Sequence, residues 1–74
     1  MTEGELRVLA DKADRIAGWV RIGEGLNVRR AFAEIKDPKH LVYVTVLVTR
    51  QLNSYNQDLL LRQLLKETVE DESE

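Results

Sequence analysis

Cysteine is absent from this 74-residue chain, and histidine, proline and tryptophan each occur only once. Without cysteine the chain can form neither a disulfide bond nor a thiolate metal site. No apolar run approaches the 18 or so residues that a membrane-spanning helix needs. These absences exclude a disulfide-stabilised domain, and they lead us to expect a cytoplasmic protein with no membrane partner.

The residue types that usually carry catalysis are also sparse. His40 has only Asp37 close to it in sequence, whereas metal sites usually have three or four clustered ligands. The "GEG" of residues 23–25 lacks the longer spacing of phosphate-binding glycine loops. Ser54 is better explained as a helix cap than as a nucleophile. We therefore expect a non-enzymatic protein with no cofactor, no metal and no small-molecule substrate.

The composition that remains is that of an ordinary globular protein, with 43% hydrophobic and 32% charged residues. The length predicts one small domain over residues 1–69, followed by a disordered acidic tail at residues 70–74. A chain this short buries only about 60% of its unfolded surface. Because a thin core is often completed by a second copy, we expect a homodimer.

The two ends of the chain have clear helical patterns. A stripe of apolar side chains from Leu6 to Ala17 recurs at helical spacing, and Thr2 with Glu5 matches a capping box. This pattern predicts a helix over residues 3–17 that ends near Gly18. A second capping box at residues 54–57 and the leucines that follow it predict a helix over residues 55–70.

The middle of the chain, residues 26–52, is ambiguous between strands and helices. Six of the eight residues from Val42 to Thr49 are β-branched, which disfavours a helix. If residues 37–40 form a hairpin loop, the alternating pattern places one wholly apolar face on two paired strands. The apolar face of the second strand would hold four valines: Val42, Val44, Val46 and Val48.

The fold that we predict from this register is α+β. Its order is helix, three-stranded antiparallel meander and helix (αβββα), with residues 19–22 as the first strand and both helices on one sheet face. The alternative is an all-α four-helix domain, in which Asn27 and Asp37–Pro38 begin the two middle helices.

Both predicted folds imply a surface that binds a partner. In the sheet, aromatic and apolar side chains would lie on the face that the helices leave open. The residues that we expect to bind a partner are Phe32, Tyr43, Leu47 and Trp19. If residues 41–50 are helical instead, the helix is apolar all round and needs a partner even more. We therefore predict an interaction or adaptor protein that acts as a homodimer through a partly apolar sheet face.

The charge distribution gives an alternative function. Residues 18–53 hold six basic and three acidic residues, a net +3, whereas residues 54–74 hold two basic and six acidic residues, a net −4. The candidate nucleic-acid contacts are Arg21, Arg29, Arg30, Lys36, Lys39 and Arg50. Because the whole chain carries −2, and nucleic-acid-binding domains are usually basic, a protein partner is favoured over a nucleic acid.

Overall fold

The part of the chain that the structure describes folds into four helices. The computed structural model describes residues 1–73, and the side chains of residues 1–65. The helices are α1 (Glu3–Arg21), α2 (Gly25–Glu34), α3 (Pro38–Gln51) and α4 (Ser54–Ser73). They make the chain 85% helical, and residues 1–73 contain no strand. The predicted αβββα meander is therefore wrong, and the chain adopts the all-α arrangement that was its alternative.

Helix α1 begins at the predicted capping box but runs four residues beyond its predicted end. The Thr2 hydroxyl accepts a hydrogen bond from the Glu5 amide at 3.2 Å, and the Glu5 carboxylate accepts one from the Thr2 amide at 3.3 Å. The helix passes through Gly18 because Val20, which continues the apolar stripe, is buried in the core. A glycine in a helix costs only about 1 kcal/mol, less than burying a valine side chain contributes.

The end of α1 is fixed by Gly23, which has a φ of 80°. The Glu24 amide donates to the Trp19 carbonyl at 2.9 Å, and the Gly23 amide donates to the Val20 carbonyl at 3.2 Å. This pair of bonds is a Schellman motif, which favours glycine at the left-handed position. Residues 19–21 therefore belong to α1, so the predicted first strand does not exist. A hairpin of the two remaining strands would be marginal by itself.

Helix α2 covers the segment that we interpreted as a second strand. Val28 and Ala31 are its buried residues, at the i, i+3 spacing of a helix face. The helix starts at Gly25, two residues before the predicted cap Asn27, and the N-cap residue Glu24 makes no side-chain cap bond. The α4 residue Gln63 lies against this start, since a Cβ on Gly25 would meet its side chain at 3.3 Å.

Helix α3 replaces the predicted hairpin loop and long strand. Asp37 is its N-cap, and the Asp37 carboxylate accepts a hydrogen bond from the Lys39 amide at 2.9 Å. Pro38 occupies the first turn, where its missing N–H and fixed φ favour a helix. The Asp-Pro pair therefore starts a helix and does not turn a hairpin.

The β-branched residues of α3 are accommodated in two ways. Val44, Val48 and Leu52 are buried at i, i+4, i+8, and each contributes about 1.5–3 kcal/mol of burial. The propensity penalty of six β-branched residues is at most about 4 kcal/mol, so burial outweighs it. The Thr45 and Thr49 hydroxyls also donate to carbonyls one turn back, at 2.7 and 2.8 Å.

Helix α4 is capped one residue earlier than predicted. The Asn53 side chain accepts a hydrogen bond from the Asn56 amide at 2.9 Å, and Ser54 is the first helical residue. Gln57, the predicted second member of the capping box, bonds to the end of α3 instead. Its side chain donates to the carbonyls of Thr49 and Leu52 at 3.0 and 3.1 Å, which fixes the α3–α4 corner.

Helix α1 is the centre of the fold, since it packs against the other three helices. Lys12 forms an ion pair with Glu34 at 3.1 Å, so α2 returns antiparallel to α1. Gln51 at the end of α3 accepts a hydrogen bond from Arg21, so α3 runs in the same direction as α1. The core is a cluster of small and medium apolar side chains: Leu9, Ala13, Ile16, Ala17, Val20, Val28, Ala31, Val44, Val48, Leu52 and Leu60.

Two predictions about the whole chain remain. The single domain over residues 1–69 is not tested, and the side chains of the predicted acidic tail, residues 70–74, lie outside the described residues. None of the described helices combines the length and the hydropathy that spanning a membrane requires.

Candidate interaction surface

The outward side of α3 carries apolar side chains that residues 1–65 leave exposed. Val42 is 64% exposed and Val46 is 45% exposed, and both lie opposite the buried pair Val44 and Val48. The predicted four-valine face is therefore wrong: the helix divides the valines, two inward and two outward.

Two exposed cations bracket these outward valines. Lys39, Val42, Val46 and Arg50 follow the i, i+3, i+7, i+11 spacing of one helical side, and we call them the α3 outer stripe. No acidic residue occurs within Pro38–Gln51. The stripe is thus an apolar centre with a positive charge at each end.

A shallow apolar depression of about 570 Å³ lies on this side of α3. It is lined by residues of the N-terminus and of the first three turns of the helix: Met1, Pro38, Lys39, Val42, Tyr43 and Val46. Such exposed apolar patches, bordered by polar residues, are typical of surfaces that bind other macromolecules.

Helix α4 has a second uncovered apolar side. Leu61 is 58% exposed and Leu65 is 62% exposed, whereas Leu60 is buried. Asp58, Leu61 and Leu65 share one helical side at i, i+3, i+7, and we call them the α4 outer stripe. The exposed Leu64 widens it. The Leu59–Leu61 run thus faces both the core and the surface.

The four predicted partner-binding residues do not share one surface. Tyr43 lines the α3 depression. Trp19 lies in a separate groove of about 230 Å³ between α1 and α2, beside Lys12 and Glu34. Phe32, Leu47, Trp19 and Tyr43 are all partly buried against the core. Residues 1–73 contain no sheet, so the prediction that these four residues share one sheet face is wrong.

Three of the six predicted nucleic-acid contacts bind backbone carbonyls of the protein itself. Arg21 donates to Gln51 at 2.8 Å, and Lys36 donates to Ala33 at 2.8 Å. Both carbonyls belong to the last turn of a helix, where acceptors lack helical partners. Arg29 donates to the carbonyl of Gln63 at 2.7 Å.

The other three predicted contacts are exposed but lie on two helices. Arg30 is on α2, whereas Lys39 and Arg50 are at opposite ends of α3. The structure therefore does not join the six cations into one basic patch. Nucleic-acid binding stays an untested prediction.

Gln63 anchors α4 to the ends of α1 and α2. Its side chain is buried at 5% exposure and donates to the Val20 carbonyl at 3.1 Å. Within the described residues, its amide oxygen has no hydrogen-bond partner. Nothing in the sequence pattern distinguishes this glutamine from the exposed polar residues of α4.

His40 connects the starts of α1 and α3. Its Nε2 lies 3.3 Å from the Glu5 carboxylate and 3.7 Å from the Asp37 carboxylate. Hydrogen bonds from the backbone and side chain of Thr2 lower the pKa of Glu5 below its ordinary value of 4.5, and the nearby His40 lowers it further. The cluster holds two helix caps together.

Four exposed apolar residues of α3 and α4 were not among the predicted partner-binding residues: Val42, Val46, Leu61 and Leu65. The valines were assigned to a buried sheet face, and the leucines to a wide helical face. A signal was present in both cases, because each helix has more apolar residues than one buried side can hold.

Comparison of the chain with family models, with curated proteins and with solved structures finds no match.

Proposed function

We propose that the protein is a small, non-enzymatic interaction protein whose working form is a homodimer, and that the α3 outer stripe is its main contact surface. The observation that carries this proposal is the exposure of Val42 and Val46 on a helix. The proposal includes a cytoplasmic location, which the ordinary soluble composition supports.

Exposed valine is a poor choice for a helix surface unless the site becomes buried. Each valine disfavours the helix by up to about 0.7 kcal/mol relative to alanine, and each leaves apolar area in water. Contact with a partner would offset both penalties. A second copy is the partner that a chain with a thin core needs most.

A lysine substitution tests the contact directly. Val42→Lys places a charge in the centre of the stripe, so we expect the dimer to dissociate into folded monomers. Light scattering coupled to size-exclusion chromatography measures the mass, and circular dichroism verifies the helix content. Ile22→Lys is the control, because Ile22 is 71% exposed and is the C-cap residue of α1 and not a member of the stripe.

A double alanine substitution distinguishes an interface role of these valines from simple exposure, because the two roles predict different effects on stability and on the dimer. If Val42 and Val46 are only exposed residues, Val42→Ala with Val46→Ala should stabilise the protein through helix propensity. If they are interface residues, the pair should weaken the dimer. A stabilised variant with an unchanged mass would refute the proposed role of the α3 outer stripe.

A further inference from the structure

We infer that α1 carries a second, self-complementary contact surface, along which two copies of the chain pack antiparallel about a two-fold axis at the level of Ala13. The contact is separate from the α3 outer stripe and does not depend on it. The surface is the outward side of α1, and we call it the α1 seam. Its members recur at the alternating four- and three-residue spacing of helices that pack along each other. They are Gly4, Val8, Asp11, Arg15, Gly18 and Ile22.

Two apolar side chains project from the seam into solvent. Val8 is 64% exposed and Ile22 is 71% exposed, which is at least the exposure of the outward valines of α3. Ile22 follows the last residue of α1, but its amide still donates to the Gly18 carbonyl at 3.2 Å, as in a helix. Its side chain therefore continues the outward side of α1.

The seam also holds two glycines whose small size the fold of one chain does not require. A Cβ at Gly18 would have no atom within 4 Å, and a Cβ at Gly4 would meet only the Thr2 hydroxyl, at 4.0 Å. A glycine within a helix costs up to about 1 kcal/mol relative to alanine. Close approach of another backbone is one use that offsets this cost. The two glycines are thus gaps in a seam that also has two projecting side chains.

An antiparallel two-fold axis places each projecting side chain opposite a gap. Val8 and Gly18 lie at equal distances along the chain from Ala13, and so do Ile22 and Gly4. In the pair, Val8 of each copy therefore lies over Gly18 of the other, and Ile22 lies over Gly4. The contact is isologous, since the same surface serves both copies.

The charges of the seam select the same arrangement. Asp11 and Arg15 also lie at equal distances from Ala13, so each carboxylate meets the guanidinium of the other copy. Both side chains are exposed, and neither makes a hydrogen bond or an ion pair within residues 1–65. A parallel pair would oppose each charged side chain to its own copy, which like-charge repulsion disfavours.

The surface beside the seam is concave. A groove of about 230 Å³ between α1 and α2 is lined by Val8, Asp11 and Arg15 of the seam, and by Trp19 next to it. The α1 helix of a second copy would lie along this groove. Exposed apolar residues that border such a depression together with polar ones are typical of a contact surface.

The seam of a single helix is a small contact. Interfaces well below the standard size of about 1,600 Å² in total are weak or transient. We therefore expect a dissociation constant of about 1 mM, so that the seam is mostly unoccupied at tens of micromolar. At higher concentration, the α3 contact and the seam together should join more than two chains.

A charge-exchange experiment in the Val42→Lys background tests the seam by itself, because Val42→Lys removes the proposed α3 contact. Asp11→Arg or Arg15→Asp alone opposes like charges twice, so at low salt we expect the dissociation constant to rise about tenfold or more. The two changes in one chain restore opposite charges, and we expect them to recover most of the affinity. Translational diffusion measured by NMR from about 0.1 to 3 mM covers the expected range.

An apolar substitution adds a test that salt cannot screen. Val8→Lys in the same background should abolish association, because it places a charge over the glycine gap of the other copy. Tyr55→Lys is the control, since Tyr55 is 73% exposed on α4 and is not a member of the seam. Circular dichroism verifies the helix content of each variant.

The possible outcomes separate the seam from the proposed α3 contact. A Val42→Lys protein that stays monomeric up to about 3 mM overturns the seam. Association that tolerates both single reversals, or that the exchange fails to restore, overturns the antiparallel register. A wild-type protein that associates no more strongly than Val42→Lys refutes the α3 contact and leaves the seam standing.

Discussion

At the scale of single residues, two glycines five positions apart have opposite roles. Gly18 lies inside α1, and a Cβ placed there would have no atom within 4 Å. Gly23 has a φ of 80°, which side chains rarely adopt. The sequence shows two possible helix ends, and the burial of Val20 selects the second one.

We expect Gly18→Ala to stabilise the protein by up to about 1 kcal/mol, because alanine restricts the unfolded chain and is free of clashes in α1. For a domain of this size the melting temperature should rise by about 4–8 °C. Thermal unfolding followed by circular dichroism measures the change. Gly23→Ala is the paired control and should lower the melting temperature, and a loss of stability in Gly18→Ala would contradict this account.

The capping box gives a prediction for pH. The folded protein lowers the pKa of Glu5, so this carboxylate contributes stability at pH values above its ordinary pKa of 4.5 and loses that contribution as the pH falls through the lowered value. Glu5→Gln keeps a side chain that suits the box but cannot titrate. We therefore expect the melting temperature of the wild-type protein to fall more steeply below about pH 4.5 than that of Glu5→Gln.

Glu3→Gln is the control for this pH experiment. It removes another carboxylate from the first turn of α1 but leaves the pair of Thr2 and Glu5 intact. Identical pH profiles for the wild-type protein and Glu5→Gln would show that the capping box does not respond to acid.

At the scale of elements, α3 shows how a helix overrides unfavourable local propensity. Alternating valines satisfy a strand of period two, but Val44, Val48 and Leu52 also satisfy the i, i+4, i+8 spacing of a helix. The Asp37 cap and the burial of these three side chains select the helix.

The cap at Asp37 is the element-scale prediction. Asp37→Ala removes the acceptor for the Lys39 amide, so we expect a loss of about 0.5–2 kcal/mol in the free energy of unfolding. Urea denaturation measures it. Asp37→Asn keeps a comparable cap and should retain most of the stability. An unchanged midpoint in Asp37→Ala would mean that the cap does not contribute.

Helices α1 and α4 could be predicted from the sequence because their apolar stripes fit one period only. The secondary structure of the middle, residues 26–52, could not be predicted. The apolar residues of 41–50 fit both the period of a strand and the period of a helix, and contacts with distant residues decide between the two. The same limit applies to the candidate site: Tyr43, a predicted partner-binding residue, lines the depression on α3, whereas Val42 and Val46 were placed in the core. Which valines face outward depends on the helical register.

At the scale of the whole molecule, the outer stripes of α3 and α4 are the features that the core does not explain. Both are apolar and both are exposed. A single chain of this length has little surplus core with which to compensate for such exposure. The proposed homodimer would cover the α3 outer stripe.

Sedimentation equilibrium of the wild-type protein at tens of micromolar tests this central claim most directly. The account predicts twice the mass of a single chain, with dissociation on dilution, because a dimer of modest interface area obeys mass action. A mass that stays at one chain across the whole concentration range, with the helix content intact, would contradict it.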